Sequence, residues 1–263
     1  MNTVNGGHAA RMVPVYEVLA ADIKSLGVEA VFGLMSDDTA LFVTALDMAG
    51  ITFHGARHEN AAISMAEGYA YASGSLGIAV VGRGPATANG LHAAVYAART
   101  GSRVLIIYGD AAFGTSSTNA LGPDYKAFNA LGVLTAAGLQ VLRATSAAGA
   151  RTTLADAAGL AMQGNAVALL LPTSIQLAKL DWNDADPAPS VVVSETQAES
   201  ARPEAVQSAV DCLGRSQRPL IIAGLGAHRA GAKEALEQLA ERLGAMLLTT
   251  ARAREMFRGH PYQ

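Results

Sequence analysis

At 263 residues, 51% hydrophobic and 16% charged, the chain has an ordinary globular balance, with room for one full domain and part or all of a second. Its 19 basic and 22 acidic residues leave a net charge of -3 with no basic run, so nucleic acid has no electrostatic footprint here. The single cysteine, Cys212, excludes an internal disulfide framework and a Cys-rich zinc site and points to the cytoplasm, while no stretch of about 20 apolar residues suggests a membrane span and the polar start, Met1 to Arg11, lacks the apolar core of a signal peptide.

Short β-branched runs alternate with longer Ala-rich stretches. Val13 to Leu26 reads as a helix with Val18, Leu19, Ile23 and Leu26 on one face. Gly27 ends it, and Ala30 to Phe32 is a strand. Asp37 or Asp38 is placed to cap the next helix, which runs to about Met48. Ile51 to His54 is a strand, Glu59 to Ala72 a helix stopped by Gly74, and Ile78 to Val81 a third strand. Pro85 opens a helix reaching about Thr100, and Val104 to Tyr108 is a fourth strand. Ser116 to Asn119 reads as a polar loop. Leu139 to Leu142 and Ala166 to Leu171 are further strands, with a helix from Thr152 to Met162 between them. About six strands alternating with helices argue for an α/β fold, a doubly wound parallel sheet with helices on both faces.

After residue 180 the character changes. The turn-rich acidic stretch from Asp181 and the polar run to Arg202 read as a linker, residues 181–202, between a first domain over residues 1–180 and a new unit over 203–263. In that unit Pro203 to Leu213 and Gly231 to Leu243 read as helices, and Leu220 to Ala223 and Met246 to Leu248 as strands. Some sixty residues make a poor α/β domain alone, so the unit is expected to be incomplete.

Three places could carry chemistry. Glu59, in Arg57-His58-Glu59-Asn60-Ala61-Ala62, lies where a strand hands over to a helix, the side on which open parallel sheets bind ligands. The helix after it is lined with Ala61, Ala62, Ala66, Gly68, Ala70 and Ala72, which lets another backbone come close. Equally, a carboxylate in a first helical turn can simply favour the helix dipole. Gly82-Arg83-Gly84-Pro85-Ala86-Thr87-Ala88-Asn89-Gly90 is a second strand-to-helix turn, able to let a ring or phosphate lie on backbone or to be only a tight turn. Gly224-Leu225-Gly226 opens the third, but Arg229 stands where a dinucleotide fingerprint needs its third glycine. His54 and His58 straddle a strand-to-helix break, which disfavours a metal pair.

These residues resemble the acetolactate synthase and pyruvate oxidase group of thiamine-diphosphate-dependent enzymes. Gly27-Val28-Glu29-Ala30-Val31-Phe32-Gly33, the Glu59 segment and Met65-Ala66-Glu67-Gly68-Tyr69-Ala70 carry the likeness. Arg83 to Asn89 is similar to the group's Ser-Gly-Pro-Gly-Ala-Thr-Asn turn, Leu170 to Gln176 to its Leu-Pro-x-Asp-Val-Gln, and Arg218 to Gly224 to the start of its central domain. The resemblance implies a flavodoxin-like pyrimidine-binding domain followed by a partial Rossmann-like central domain. It implies that Glu59 is the carboxylate that hydrogen-bonds the aminopyrimidine of thiamine diphosphate and so activates it, and that Gly84, Pro85 and Asn89 line the pyrimidine pocket.

The implied reaction is decarboxylation or carboligation of a 2-oxo acid or related carbonyl substrate, with Mg²⁺ serving the diphosphate. Tyr108-Gly109-Asp110-Ala111 is not the Gly-Asp-Gly motif that holds metal and diphosphate, so those ligands are expected outside this chain, from a homo-oligomer or a partner chain, and the chain is expected to be inactive without them. Gly109 to Gly114 also replaces the Gln-x-Pro-Arg segment whose arginine contacts FAD, which speaks against FAD. Asn60 stands where acetolactate synthases have Gln, and Leu34-Met35-Ser36-Asp37 where relatives place Pro-Gly. A non-catalytic subunit or relic that keeps the fold as an interaction module, and a nucleotide-binding oxidoreductase using the Gly224 loop, are the competing readings.

Overall fold

The structure, a computed structural model, describes residues 11–113, 118–119, 122–183, 186–193 and 200–263. The polar start up to residue 10, residues 116 and 117 of the expected loop, and residues 184–185 and 194–199 of the expected linker lie outside them. The chain divides into two compact units, Met1–Glu195 and Thr196–Gln263, each described by itself.

The first unit runs β1 (Arg11–Pro14), α1 (Val15–Ser25), β2 (Ala30–Gly33), α2 (Ala40–Met48), β3 (Thr52–Gly55), α3 (Glu59–Ser73), β4 (Gly77–Val81), α4 (Pro85–Arg99), β5 (Val104–Asp110), β6 (Thr118–Asn119), β7 (Gly122–Pro123), α5 (Ala130–Ala136), β8 (Gln140–Arg143), α6 (Ala147–Met162), β9 (Ala166–Pro172), α7 (Thr173–Leu177) and β10 (Lys179–Trp182). Its centre is a six-stranded sheet ordered β3-β2-β4-β5-β9-β8, with every pairing parallel. The apolar runs of β4, β5 and β9 are buried along their whole length, as strands covered on both faces must be.

Strand residues alternate between two apolar layers. Val31, Ile78, Val80, Leu105 and Ile107 meet α1, α2 and α6 on one face, and Phe32, Ala79, Val81, Ile106 and Tyr108 meet α3, α4 and α5 on the other. From β2 the chain adds β3 on one side and β4 onward on the other, so strand order reverses there and the connections leaving β2 and β4 frame the crevice in which such sheets bind ligands.

Several boundaries differ from the sequence reading. Val13 does not open a helix: Pro14 biases it to an extended backbone, and Arg11–Pro14 pairs antiparallel with Lys179–Trp182. The first residues of the expected linker therefore form a strand, with Trp182 buried against Val13 and Val18. Asp37 and Asp38 do not cap α2, whose N-cap is Thr39 with no side-chain bond. Helix α6 starts at Ala147, five residues before the expected Thr152, because Ser146 accepts from the Gly149 amide at 3.1 Å. Arg151 on α6 grips Asp22 on α1 and donates to the Pro187 carbonyl at 3.0 Å, so residues near 187 lie along the first unit. Thr118–Asn119 pairs with Gly122–Pro123.

The second unit contains α8 (Pro203–Gly214), β11 (Leu220–Ala223), α9 (Leu225–Arg229), α10 (Lys233–Leu243), β12 (Met246–Thr249) and a 3₁₀ turn at Ala251–Ala253. β11 and β12 pair in parallel, and one face packs Leu247, Ala240, Met256 and Phe257 into a small core. Leu220, Ile222, Met246 and Leu248 are exposed on the strands, and α8 buries nothing. The short α9 was not foreseen.

Gly77 is where the α3 layer comes closest to the sheet: a Cβ there would lie 2.1 Å from the Ala66 carbonyl oxygen. Backbone cannot yield as a flexible side chain does, so Gly77→Ala is expected to lower the unfolding free energy by about 1–3 kcal/mol, read as a drop in melting temperature.

Candidate active site

Edge strand β3 delivers the chain to α3 through Ala56-Arg57-His58. His58 is the N-cap, its Nδ1 accepting from the Asn60 amide at 3.1 Å, which satisfies one orphan donor of the helix and places Glu59 in its first turn. A carboxylate that served only the dipole would sit in solvent, yet Glu59 is 8% exposed. Asn89, on α4, donates Nδ2 to Glu59 Oε2 at 3.1 Å. No described residue donates to Oε1. Beside them Asn60 Oδ1 accepts from the Ala93 amide at 2.9 Å, tying α3 to α4 a second time.

Gly90 makes this approach possible. A Cβ on it would meet Ile63 Cδ1 at 2.7 Å and Glu59 Cβ at 3.6 Å. Of the residues singled out from sequence, Glu59 and Asn89 are thus brought into contact. Gly84 holds φ 67° at the N-cap of α4, and a Cβ there would lie 2.4 Å from the Lys126 carbonyl oxygen, so the backbone near residue 126 packs against it. Pro85 opens α4 and is exposed. His54 stacks on Phe32 with ring centroids 5.2 Å apart, and among the described residues no group of His, Cys, Asp and Glu could hold a metal ion. The Gly224 turn opens only the five-residue α9, which ends on Arg229.

The crevice between β2 and β4 carries an ion network that local sequence did not reveal. Asp38 accepts from Arg83 Nε at 2.9 Å and from the Arg83 amide at 3.2 Å. The same guanidinium makes a fork to Asp124, at 2.8 and 3.2 Å. Lys126 pairs with Asp37 and, at 3.2 Å, with Asp38. Gln176, after β9, donates to the Asp38 carbonyl at 3.0 Å. The connections after β2, β4, β5 and β9 are thereby clamped together. The glycines of the second motif serve this packing, since a Cβ on Gly82 would lie 2.7 Å from Ser36 Oγ.

The network shifts its members' protonation. The Lys126 hydrogen bond holds Asp37 below its ordinary value, and the Arg83 fork does the same for Asp124. Arg83 is raised by Asp124 first and Asp38 second. Burial pulls Lys126 down, but its bonds to Asp37 and Asp38 together outweigh that and hold it above the usual lysine value.

Comparison with known proteins places these features. Residues 14–131 match the family described as thiamine pyrophosphate enzyme, N-terminal TPP binding domain, and residues 206–263 match its central domain. A probable acetolactate synthase large subunit of Methanococcus aeolicus is 28% identical over 89% of this chain and 39% of its own length. A probable 2-ketoarginine decarboxylase of Pseudomonas aeruginosa is 30% identical over 89% of this chain and 41% of its own. A probable acetolactate synthase large subunit of Methanocaldococcus jannaschii is 27% identical over 93% and 42%. The chain thus spans about two fifths of the length of these relatives.

Asp37 and Asp124 are depressed in the folded state, so their contribution to stability is complete above the ordinary value of 3.8 and is lost as pH falls through the lower folded values. Asp124→Asn is expected to lower the melting temperature at pH 7 and to flatten its decline below pH 3.8, measured by thermal melts across pH.

Proposed function

Since the chain belongs to the thiamine pyrophosphate enzyme family, we propose that it supplies the pyrimidine-binding half of an enzyme acting on a 2-oxo acid or related carbonyl substrate, with Glu59 as the carboxylate that activates thiamine diphosphate. The observation that carries this is the Glu59 carboxyl, buried with Oε2 held by Asn89 and Oε1 left without a donor. A carboxyl in that state fits a basic ring nitrogen, which is what an aminopyrimidine presents at N1′: it can give that nitrogen a proton and then accept from the N–H so formed. When bound, the cofactor supplies a carbon nucleophile at thiazolium C2 for attack on the substrate carbonyl.

This chain's part is to hold and move one proton. Glu59 Oε1 would hold the ring nitrogen N1′ of the bound cofactor and share one proton with it. Asn89 fixes the orientation of the carboxyl by occupying the other oxygen. Gly84 and Pro85, in the turn that opens α4, line the pyrimidine pocket with Asn89. Mg²⁺ and diphosphate would be held by a separate diphosphate-binding part. The substrate class follows relatives whose names are acetolactate synthase and 2-ketoarginine decarboxylase.

Glu59→Gln is expected to abolish C2 proton exchange in the complete assembly while the circular dichroism spectrum stays unchanged. Exchange at the wild-type rate in that variant overturns the assignment. In thermal-shift measurements with Mg²⁺ and thiamine diphosphate, stabilisation is expected when the diphosphate-binding part is supplied. No shift under any condition favours an interaction module instead.

A further inference from the structure

Tyr108 is the largest fully buried side chain of the described residues, and its Oη has no hydrogen-bond partner. It sits on β5 between Val81 of β4 and Leu170 of β9, with its ring in the layer that α3 and α4 cover. A sealed phenol without a partner costs about 1–3 kcal/mol, and phenylalanine would fill the same space without that cost. The position of the hydroxyl suggests what it is kept for. The point where a Cβ on Gly90 would lie is 3.9 Å from Tyr108 Oη and 3.6 Å from Glu59 Cβ. One point beside Gly90 thus has the phenol on one side and the stem of Glu59 on the other, with Ile63 Cδ1 2.7 Å from it. Thr87, one turn earlier on the same buried face of α4, also has an unpartnered Oγ1.

Resting on the assignment of Glu59 above, we infer that Tyr108 is a positioning residue for the activating carboxyl: its hydroxyl donates to Glu59 when the pyrimidine is bound, as a second donor beside Asn89. A donor is the right group for a carboxylate that must keep one oxygen for its ligand. Burial pushes the phenol well above its ordinary pKa, so it stays protonated and able to donate throughout the working range. The cost of leaving the hydroxyl unpartnered falls on the free chain, and its benefit appears only in the loaded one.

Tyr108→Phe tests this, because the two states are affected in opposite directions. The free chain is expected to melt about 2–4 °C higher once the orphan hydroxyl is gone. The complete assembly is expected to bind thiamine diphosphate with Mg²⁺ roughly tenfold to a hundredfold more weakly by isothermal titration, as befits one lost charge-assisted hydrogen bond. The acid limb of its C2 proton-exchange profile moves to higher pH, since a carboxylate that loses a donor is easier to protonate. A merely structural tyrosine would raise the melting temperature in the same way but leave the affinity and that profile in place, which overturns the inference. So does unchanged affinity in Tyr108→Phe alongside an inactive Glu59→Gln, which leaves the assignment of Glu59 standing. Wild-type exchange in Glu59→Gln removes both.

Discussion

The close approach of α3 and α4 is the constraint on which the site depends. Two helices meet at 8–10 Å when ordinary side chains separate them, and smaller contacts let them come nearer. Here Ala62, Ala66, Gly90 and Ala93 form the contact surface and Gly77 lies beneath it on the sheet. Only then can an amide on α4 reach a carboxyl in the first turn of α3. Glu59 is thus a charge drawn out of water by packing and compensated by one short-range donor and the positive end of its own helix. A bulkier α4 would have left it solvated at a helix end, which is the bland role its position alone allows.

The ion network solves a different problem on the same edge of the sheet. Connections leaving the strands at a crevice are long, polar and poorly covered, so they are the part of an α/β domain most free to move. Arg83 and Lys126 cross-link three aspartates contributed by two of these connections, and the Asp38 carbonyl is held by Gln176 from a third. The gain from such partly exposed pairs is modest one at a time, but a network in which each guanidinium or carboxylate has several partners fixes geometry more than it adds stability. One result is that the turn at Gly84 is held under the Lys126 backbone, which sets where α4 begins and therefore where Asn89 points.

The fold was largely legible because its signals are local. Ile78–Val81, Val104–Tyr108 and Ala166–Leu171 are continuous apolar runs, the mark of parallel strands covered on both faces, and the Ala-rich stretches between them have helical spacing. What was not legible depends on partners far away in the chain. The pairing of Arg11–Pro14 with Lys179–Trp182 joins the two ends of the unit, and neither segment has a strong pattern of its own. Asp37 and Asp38 stand where caps stand, and nothing nearby says that Arg83 and Lys126 will claim them. Glu59 and Asn89 could be picked out through the motifs around them. Gly90 and Tyr108 could not, since a glycine in a helix and a tyrosine in a strand acquire meaning only from what lies opposite.

Among the described residues of this unit Trp182 Nε1, on β10, is buried without a partner, and the other unsatisfied groups gather in one place. Glu59 Oε1 has no donor, and Tyr108 Oη and Thr87 Oγ1 have no partner, and all three belong to elements that meet around Gly90. Most buried polar atoms in a folded chain are paired, because leaving one unpaired costs as much as losing a hydrogen bond outright. Three such groups beside one helix–helix contact, next to a carboxyl already half held, are what a site looks like when its remaining partner is a ligand rather than the protein.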